Sequence, residues 1–366
     1  MRKLIFPIFT SIILIFTLRG IPGNVTDSNI SDPMWITGPL ELSPERGRFA
    51  LLVSMIENKT FFFSLPVARF ATPDLGFKNG HYVSLFAPGV SYLAAPGYFI
   101  GRLFGLAQVG SFLVISVFSV LNAILIGSIA VRLGANGVAS KIAGLTFLFA
   151  TPAFTYGVTL YQHHISTFLI LLSLYILQRW NTMRSLFVVW FLCAASIPVD
   201  YPNLFLMFPI GIYALGRLMK VSIMNYVINT NIKLRGVFTL AGFILPVAFF
   251  LWFNQASYGN PMQFSGTVAG VRAIDESGKP AVPKTVNSED VEKFTNPDTH
   301  KKSAIRFFKT RNILNGLYIH LISPDRGVLY FTPVVILGVF GAVILYRKKN
   351  QFVSVLLGIV GANLFL

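Results

Sequence analysis

Nine apolar runs, several of them short, constrain the fold of this chain more than any other feature. The hydrocarbon core of a bilayer is about 30 Å thick and takes roughly 20 apolar residues per helix, or fewer where flanking side chains reach the interface. The runs fall at 4–18, 111–131, 142–157, 165–178, 185–199, 204–216, 236–253, 328–346 and 351–366. This pattern predicts an all-α, polytopic membrane protein with about nine spans.

The composition excludes several other classes of protein. Of the 366 residues, 54% are hydrophobic and 12% are charged, whereas a soluble domain carries about 25% charged residues. The high hydrophobicity argues against disorder, and the single cysteine, Cys193, excludes a disulfide scaffold. A net charge of +16 would suit nucleic acid, but many basic residues lie in short loops between apolar runs. We therefore expect a lipid bilayer, and not nucleic acid, as the partner.

The distribution of charge orients the spans and decides one ambiguous stretch, 83–107, which contains Pro88 and Pro96. If this stretch does not cross, all 14 acidic residues fall outside, and the amino-terminal side holds 13 basic residues and no acidic one. The basic residues are Arg2, Lys3, Arg132, Lys141, Arg179, Arg184, Arg217, Lys220, Lys233, Arg235, Arg347, Lys348 and Lys349. Short cytoplasmic loops carry such an excess of Lys and Arg. The amino terminus is therefore expected in the cytoplasm, with 83–107 as a juxtamembrane or re-entrant helical pair.

The expected organisation is one transmembrane domain over 1–366 in the plasma membrane, with two long extracytoplasmic segments at 20–110 and 257–326 that carry juxtamembrane helices. The second segment is polar at its start and predicts a helix over about 299–322. No small-x-small cleavage site follows the first run, which favours an uncleaved first span over a signal peptide. The last run stops without a flanking charge, so we expect further spans beyond it.

Several phrases of the sequence together resemble the integral-membrane GT-C glycosyltransferases, in the protein-mannosyltransferase-like, dolichyl-phosphate-sugar-dependent group of bacteria and archaea. The phrases are Glu45 with Arg48-Phe49, Asn79-Gly80-His81-Tyr82-Val83-Ser84, Ala87-Pro88-Gly89, Tyr258-Gly259-Asn260-Pro261, Ser323-Pro324-Asp325-Arg326-Gly327 and Phe331-Thr332-Pro333. Their order and their placement outside the predicted spans carry the resemblance. The chain departs from the group at Val83, where a tyrosine is usual, at Asp325, where glycine is common, and at Arg46 beside the acid.

The resemblance implies an enzyme that moves a sugar from a polyprenyl-phosphate carrier to a glycan, lipid or protein acceptor at the outer membrane face. An acceptor hydroxyl is a poor nucleophile, so a carboxylate must take its proton during attack. Glu45 occupies the acidic position of the group and is the candidate base. The leaving lipid phosphate needs a cation, and Arg326 is the first candidate, followed by Arg48 and Arg102.

Other polar residues are weaker candidates for the same site, and each also has an ordinary structural interpretation. Glu45 could be a loop glutamate paired with Arg48, and its rivals as the base are Glu41 and Asp74, the latter in a turn-like Thr-Pro-Asp phrase. His163 and His164 precede the fourth span, and adjacent helical residues point about 100° apart, so at most one can face a site.

The short outer loop between the fifth and sixth spans carries the last candidate, Asp200, the only acid in the short outer loops. The first outer segment contains no Asp-x-Asp phrase, so a metal is not implied, although a divalent ion remains possible. Two alternatives stay open: a secondary transporter, and a non-catalytic membrane partner of a glycan or lipid assembly pathway. Transporters tend to show midplane charges and internal repeats, and neither is evident in this sequence.

Overall fold

The computed structural model describes residues 5–40, 43–224, 227–281 and 313–365, and these are mostly helical. The helices of the first half are α1 (Ile5–Phe16), α2 (Pro33–Ile36), α3 (Ser43–Ile56), α4 (Leu65–Ala71), α5 (Gly89–Leu103), α6 (Ala107–Arg132), α7 (Gly137–Phe149), α8 (Ala153–Tyr156) and α9 (His163–Arg179). Those of the second half are α10 (Met183–Ser196), α11 (Asn203–Gly216), α12 (Leu234–Val237), α13 (Ile244–Tyr258), α14 (Ile313–Leu321), α15 (Val328–Phe331), α16 (Val335–Arg347) and α17 (Phe352–Leu364). The strands are β1 (Leu75–Lys78), β2 (His81–Ser84), β3 (Met219–Met224), β4 (Val227–Ile232), β5 (Ala269–Val271), β6 (Ala273–Ile274) and β7 (Pro280–Ala281).

Each of the nine predicted apolar runs coincides with helix, but the helices differ in length. Two are long and apolar enough to cross a bilayer: α6, with 26 residues, and the continuous helical stretch Leu234–Tyr258, with 25. At about 1.5 Å per α-helical residue, α6 is about 39 Å long, and the second stretch is about 40 Å long because its 3₁₀ residues rise about 2.0 Å each. The shorter apolar helices have 10–17 residues. The mostly helical fold is thus confirmed, and the described helices include two of membrane-spanning length.

The stretch Leu234–Tyr258 changes its helical form in the middle. Helix α12 passes into a 3₁₀ helix over Phe238–Phe243, and α13 begins at Ile244. Pro246 is the third residue of α13, directly after the change from the 3₁₀ helix. The apolar run therefore stays helical through a proline.

The ambiguous stretch 83–107 contains one helix instead of the expected helical pair. Residues 83 and 84 complete strand β2, and α5 then continues through Pro96 to Leu103. The chain turns at Gly105, whose φ of +68° favours glycine, and α6 begins at Ala107. Across this turn α5 and α6 approach closely, because a Cβ placed on Gly97 would lie 2.3 Å from the carbonyl oxygen of Gly110. Glycine therefore permits a tight pair, but the pair is α5 with α6.

The chain divides into two compact units. The first comprises Met1–Phe118, Thr155–His163 and Phe249–Phe307, and the second comprises Ser119–Phe154, His164–Ala248 and Phe308–Leu366. Helix α3 is central to the first unit, where all residues from Phe49 to Val53 are buried. The Phe49 ring contacts the rings of Phe70 on α4 and Tyr98 on α5, with centroids 6.2 and 6.1 Å apart.

A three-stranded antiparallel sheet, in the order β2-β1-β5, also belongs to the first unit and departs from the all-α expectation. Strands β1 and β2 form a hairpin through Asn79 and Gly80, both with positive φ, as the tight turns that match strand twist require. On its other edge β1 pairs with β5, so that Gly76 faces Gly270. The sheet therefore joins the two segments that the sequence places outside the membrane.

The second unit contains packed helices together with exposed apolar ones. Trp190 on α10 donates its Nε1–H to Thr239 Oγ1 at 3.1 Å, which attaches the 3₁₀ helix to α10. Helix α17 packs on α11, where Gly358 lies close to Pro209. Helix α16, in contrast, has no buried residue, and Leu337 and Phe340 are 67% and 63% exposed. Strands β3 and β4 pair antiparallel in a separate two-stranded sheet. Of the predicted helix at 299–322, α14 covers 313–321, and 299–312 lies outside the described residues.

Candidate functional site

The first two turns of α3 carry Glu45, the candidate base, and Arg48, one of the weaker candidates for the phosphate contact. The two residues are three positions apart, which puts them on one side of a helix. Both are buried: Glu45 has no exposed surface and Arg48 is 6% exposed. Gly47 lies between them, and a Cβ there would come within 2.5 Å of the Phe86 ring. Glycine at 47 therefore allows the Phe86 ring to lie against the start of α3.

The carboxylate of Glu45 meets the loop that precedes α9. Its Oε1 accepts a hydrogen bond from the backbone N–H of Leu160 at 2.6 Å. A short, charge-assisted bond of this kind compensates part of the cost of burying a carboxylate. Glu45 also lies in the first turn of α3, where the helix dipole favours negative charge.

The guanidinium of Arg48 meets the same loop through a hydrogen bond and an aromatic ring. Nη2 donates to Gln162 Oε1 at 2.6 Å. The central carbon of the guanidinium lies 5.5 Å from the ring centroid of Tyr161 and 5.2 Å from that of Phe86, within the range of cation–π attraction. The backbone carbonyl of Arg48 accepts from Ser91 Oγ at 2.8 Å, which attaches α3 to α5.

The loop itself, residues 157–162, is attached at its start and is followed by an exposed residue, His163, at the beginning of α9. Gly157 O accepts a hydrogen bond from Ser116 Oγ of α6 at 2.8 Å. His163 is exposed, and its ring packs against Tyr156, at 4.3 Å between centroids, and is stacked on Tyr161 at 5.7 Å. We call Glu45, Arg48, Tyr161, Gln162 and His163 the α3–loop site. It combines a buried carboxylate, a buried cation and an imidazole that solvent can reach.

The second histidine is part of the protein interior. His164 is 3% exposed, and its Nε2 lies 2.7 Å from Ala153 O, which can only accept. Its Nδ1 lies 3.1 Å from the side-chain nitrogen of Asn122, which can donate. This network assigns the neutral Nε2–H tautomer, with both ring nitrogens satisfied. His164 therefore connects α6, α8 and α9, and the two histidines point in different directions as expected.

The remaining predicted residues occupy other positions. Arg326 and Asp325 are 74% and 78% exposed and form an ion pair at 3.4 Å, the ordinary arrangement of an interface arginine. Asp74 is half-buried in the turn before β1, and Asp200 is half-buried in the turn between α10 and α11. Arg326, Asp200 and His164 belong to the second compact unit, whereas the α3–loop site belongs to the first.

Two weaker candidates remain: Arg102 for the phosphate contact and Glu41 for the base. Arg102 pairs with Glu57 at 2.8 Å, and Glu57 also accepts from the Tyr98 hydroxyl at 3.0 Å. This arrangement stabilises the end of α5 and engages the Arg102 guanidinium. Glu41, the rival of Glu45 as the base, lies outside the described residues.

A turn at residues 275–279 lies beside α4 and β2. Asp275 accepts hydrogen bonds from the Lys279 amide and the Ser277 hydroxyl, each at 2.8 Å, and these bonds hold the pKa of Asp275 below its ordinary value. Arg69 Nη2 donates to the backbone oxygen of Asp275 at 3.2 Å. The Tyr82 hydroxyl donates to Gly278 O at 3.0 Å, and burial, more than the nearby Asp275 carboxylate, raises the pKa of Tyr82. This turn contacts α4 and β2.

Residues that the sequence analysis did not single out complete the site, chiefly Tyr161 and Gln162. Neither belongs to a phrase of the resemblance, and their only signal was a position next to the two histidines. Among residues 5–40, 43–224, 227–281 and 313–365, no three His, Cys, Asp or Glu side chains lie together as metal ligands. The expectation from the sequence, that a metal is not implied although a divalent ion is possible, therefore stays a prediction. Comparison with protein-family models, with curated proteins and with solved structures finds no match to this chain.

Proposed function

We propose that the chain is a multi-pass membrane protein with its amino terminus in the cytoplasm and with both long segments outside. The pairing of β1 with β5 supports this arrangement, because hydrogen-bonded strands must lie on the same side of a membrane. Six predicted spans separate β2 from β5, and an even number of crossings returns the chain to its starting side. If 83–107 also crossed, the number would be seven and the two strands would be separated by the bilayer.

The contact between Glu45 and Leu160 supports the same orientation. Two predicted spans, 111–131 and 142–157, lie between these residues, so α3 and the loop before α9 share one side. The exposed apolar side chains of α16 add a second kind of support. Large exposed apolar surfaces are rare on water-soluble monomers and usual where lipid covers them.

We propose further that the protein is a glycosyltransferase that takes a sugar from a polyprenyl-phosphate donor and acts at the outer membrane face. The α3–loop site carries this proposal, since it places a buried carboxylate and a buried guanidinium at the same loop on that side. Direct displacement at the sugar needs one base, and Glu45 would take the proton of the acceptor hydroxyl as the new bond forms. The acceptor is a glycan, a lipid or a protein.

The hydrogen bond to Glu45 suggests how an acceptor would bind. The Leu160 N–H occupies one acceptor position on Oε1, and the carboxylate has further lone pairs at which an acceptor hydroxyl would bind. Because the same carboxylate holds the loop of residues 157–162, acceptor binding and the position of that loop would be linked. Arg48 would stabilise the negative charge that develops on the leaving phosphate, and the exposed His163 would donate a hydrogen bond to the donor headgroup.

The test is transfer of radiolabel from a polyprenyl-phosphate sugar by the full chain and by Glu45→Gln. The substitution keeps the shape of the side chain and removes the basic oxygen, so transfer is expected to fall about 10²- to 10⁴-fold, with expression unchanged. Glu276→Gln, an exposed carboxylate of the second outer segment, is the matched control and should retain full activity. Full transfer by Glu45→Gln would remove Glu45 from the mechanism. If Glu41→Gln then lost transfer to the extent expected here for Glu45→Gln, Glu41 would be the base.

A second candidate function, a non-catalytic partner of a glycan or lipid assembly pathway, is favoured by one observation. The complete burial of Glu45 and its bond to a backbone amide also suit a residue that only holds the loop. If the purified protein binds polyprenyl phosphate but transfers sugar to none of the glycan, lipid or protein acceptors, the result would favour the non-catalytic partner over the glycosyltransferase.

A further inference from the structure

A cavity of about 430 Å³ in the second compact unit is separate from the α3–loop site. Two arginines, Arg132 and Arg217, line it, together with Gln178, Asn350 and Gln351. These residues come from the ends of α6, α9 and α11 and from the turn between α16 and α17. Among the described residues that line this cavity none is acidic, so its walls combine positive charge with neutral polar groups.

Arg217 is held in place by the end of α9. Its Nη1 donates to Trp180 O at 3.0 Å and its Nη2 donates to Leu177 O. The guanidinium carbon lies 5.0 Å from the ring centroid of Tyr213. A guanidinium has five N–H donors, and these contacts leave capacity for a further acceptor.

Arg132 is less constrained and more accessible. It is exposed in the last turn of α6, its guanidinium carbon lies 5.3 Å from the Tyr175 ring centroid, and its Nη1 reaches Gln178 O at 3.5 Å. An arginine in this state can reorient toward an anion in the cavity without losing a strong bond.

The surroundings of the cavity raise the positive potential further. The neighbouring end of α9 and the turn before α17 contain Arg179, Lys348 and Lys349, and the charge pattern of the sequence predicts every acidic residue on the other side of the membrane. Phe352 and Tyr213 add apolar surface to the lining. Basic pockets between helix ends at the cytoplasmic interface suit the phosphate of an anionic lipid, because the acyl chains can follow the apolar helix surfaces.

We propose that this cavity binds the phosphate of an anionic glycerophospholipid from the cytoplasmic leaflet. Arg132 and Arg217 contact the phosphate oxygens, and Asn350 and Gln351 contact the polar part of the headgroup. The inference rests on the proposed orientation of the spans and is independent of sugar transfer.

The experiment measures binding of short-chain phosphatidylglycerol to the purified full chain in neutral detergent, with short-chain phosphatidylcholine and inorganic phosphate as the other two probes. Gln351→Glu adds a negative charge to the exposed lining and keeps both arginines. It also lies at the start of α17, where a carboxylate does not weaken the helix. One charge near the surface corresponds to a roughly fivefold change in affinity. Gln351→Glu should therefore weaken binding about fivefold, and Gln351→Lys should strengthen it by the same factor.

Arg132→Gln is expected to weaken binding roughly fivefold as well, whereas Arg184→Gln, a basic residue outside the lining, should leave it unchanged. All comparisons are made among variants that unfold at the same temperature as the original chain. Equal binding of phosphatidylcholine, or the same affinity in Gln351→Glu and Gln351→Lys, would overturn the proposal. Inorganic phosphate that competes at equal concentration would also overturn it, because the site would then recognise a free anion and not a lipid.

Discussion

Glu45 and Arg48 illustrate how two charged side chains can be kept inside a membrane-associated fold. Each is desolvated, and each recovers part of the lost hydration energy through a hydrogen bond to the loop of residues 157–162. Because both bonds go to the same short loop, the position of that loop and the charge state of the site depend on each other. Substitutions in the pair should therefore change both stability and loop position.

Substitution of Arg48 by lysine is expected to lower stability although the charge is retained. Lysine cannot stack its ammonium between Phe86 and Tyr161 as a planar guanidinium does, and it would lose the geometry of the bond to Gln162. The expected loss in the free energy of unfolding is about 1–3 kcal/mol.

Thermal unfolding in detergent measures this loss. The control is Arg46→Lys, since Arg46 donates from a more exposed position to the Ile36 carbonyl, at 2.6 Å, and an ammonium can replace that bond. Equal unfolding temperatures for Arg48→Lys and Arg46→Lys would contradict the assigned role of the Arg48 guanidinium.

The two adjacent histidines should respond differently to the same substitution. His164→Ala removes the ring that donates to the Ala153 carbonyl and accepts from the Asn122 amide, which keeps only its bond to the backbone oxygen of residue 164. A buried polar group that loses its partner costs about 1–3 kcal/mol. His163→Ala removes an exposed ring and should change the free energy of unfolding by about 0.5 kcal/mol or less. Unfolding curves of both variants, measured under the same conditions, give the two losses in the free energy of unfolding. A larger loss in His163→Ala than in His164→Ala would contradict the assignment of His164 as the interior histidine.

At the scale of elements, the pairing of β1 with β5 can be tested by a covalent bond. Phe77 and Ala269 face each other in the antiparallel register, and facing residues have Cα atoms about 4.5–5.5 Å apart, within the range of a disulfide. In a Cys193→Ala background, Phe77→Cys with Ala269→Cys should form a disulfide on mild oxidation. Mass spectrometry after alkylation of free thiols measures the bond.

The single variants Phe77→Cys and Ala269→Cys are the controls, and both should be fully alkylated. If the double variant also stays fully alkylated in folded protein, the two segments do not share a sheet. Their pairing then no longer supports placing them on the same side of the membrane.

The turn that Asp275 closes should depend on pH. Its pKa is lower in the folded chain than in an unfolded one, so the carboxylate stabilises the turn above its unfolded pKa, and this contribution is lost as the pH falls through the lower, folded value. The loss is therefore expected below about pH 4. The amide resonance of Lys279, observed with ¹⁵N-labelled lysine, should shift in that range. A shift of the same size in Asp275→Asn would show that another group causes it.

The elements that could be predicted from the sequence are those with a long, local apolar signal. All nine apolar runs fall on helices, because a run of this kind stays apolar over several helical turns. Helix α3 was missed, since a helix with apolar residues buried around its circumference at 49–53 has no single apolar stripe. Strand β5 was missed as well, because three residues that pair with a partner almost 200 positions away leave no periodic pattern.

The candidate site was predictable only in part, and for a related reason. Glu45 and Arg48 were found through the resemblance, and His163 through its place at the end of a span. The Leu160 amide is a backbone group, and Gln162 is a neutral side chain, so nothing in the sequence marks them as partners of charged residues. Their role follows from the close approach of α3 to the loop, which depends on long-range packing.

At the scale of the whole molecule, the proposed function and the lipid site both depend on which side of the membrane each segment occupies. The sheet and the α3–loop site require the two long segments and the loop before α9 to share one side. The proposed lipid site requires the basic turns to lie together on the opposite side of the membrane. An enzyme of this design would bring donor and acceptor together outside while an anionic lipid occupies the inner ends of the helices.

Labelling of single cysteines with a membrane-impermeant maleimide on intact cells tests this arrangement most directly. In a Cys193→Ala background, Ser31→Cys and Glu276→Cys should react in intact cells, whereas Ala135→Cys and Lys348→Cys should react only after the cells are permeabilised. Reaction of Ala135→Cys in intact cells together with Ser31→Cys would place the basic turns and the first outer segment on one face, and would contradict both the orientation and the function proposed from it.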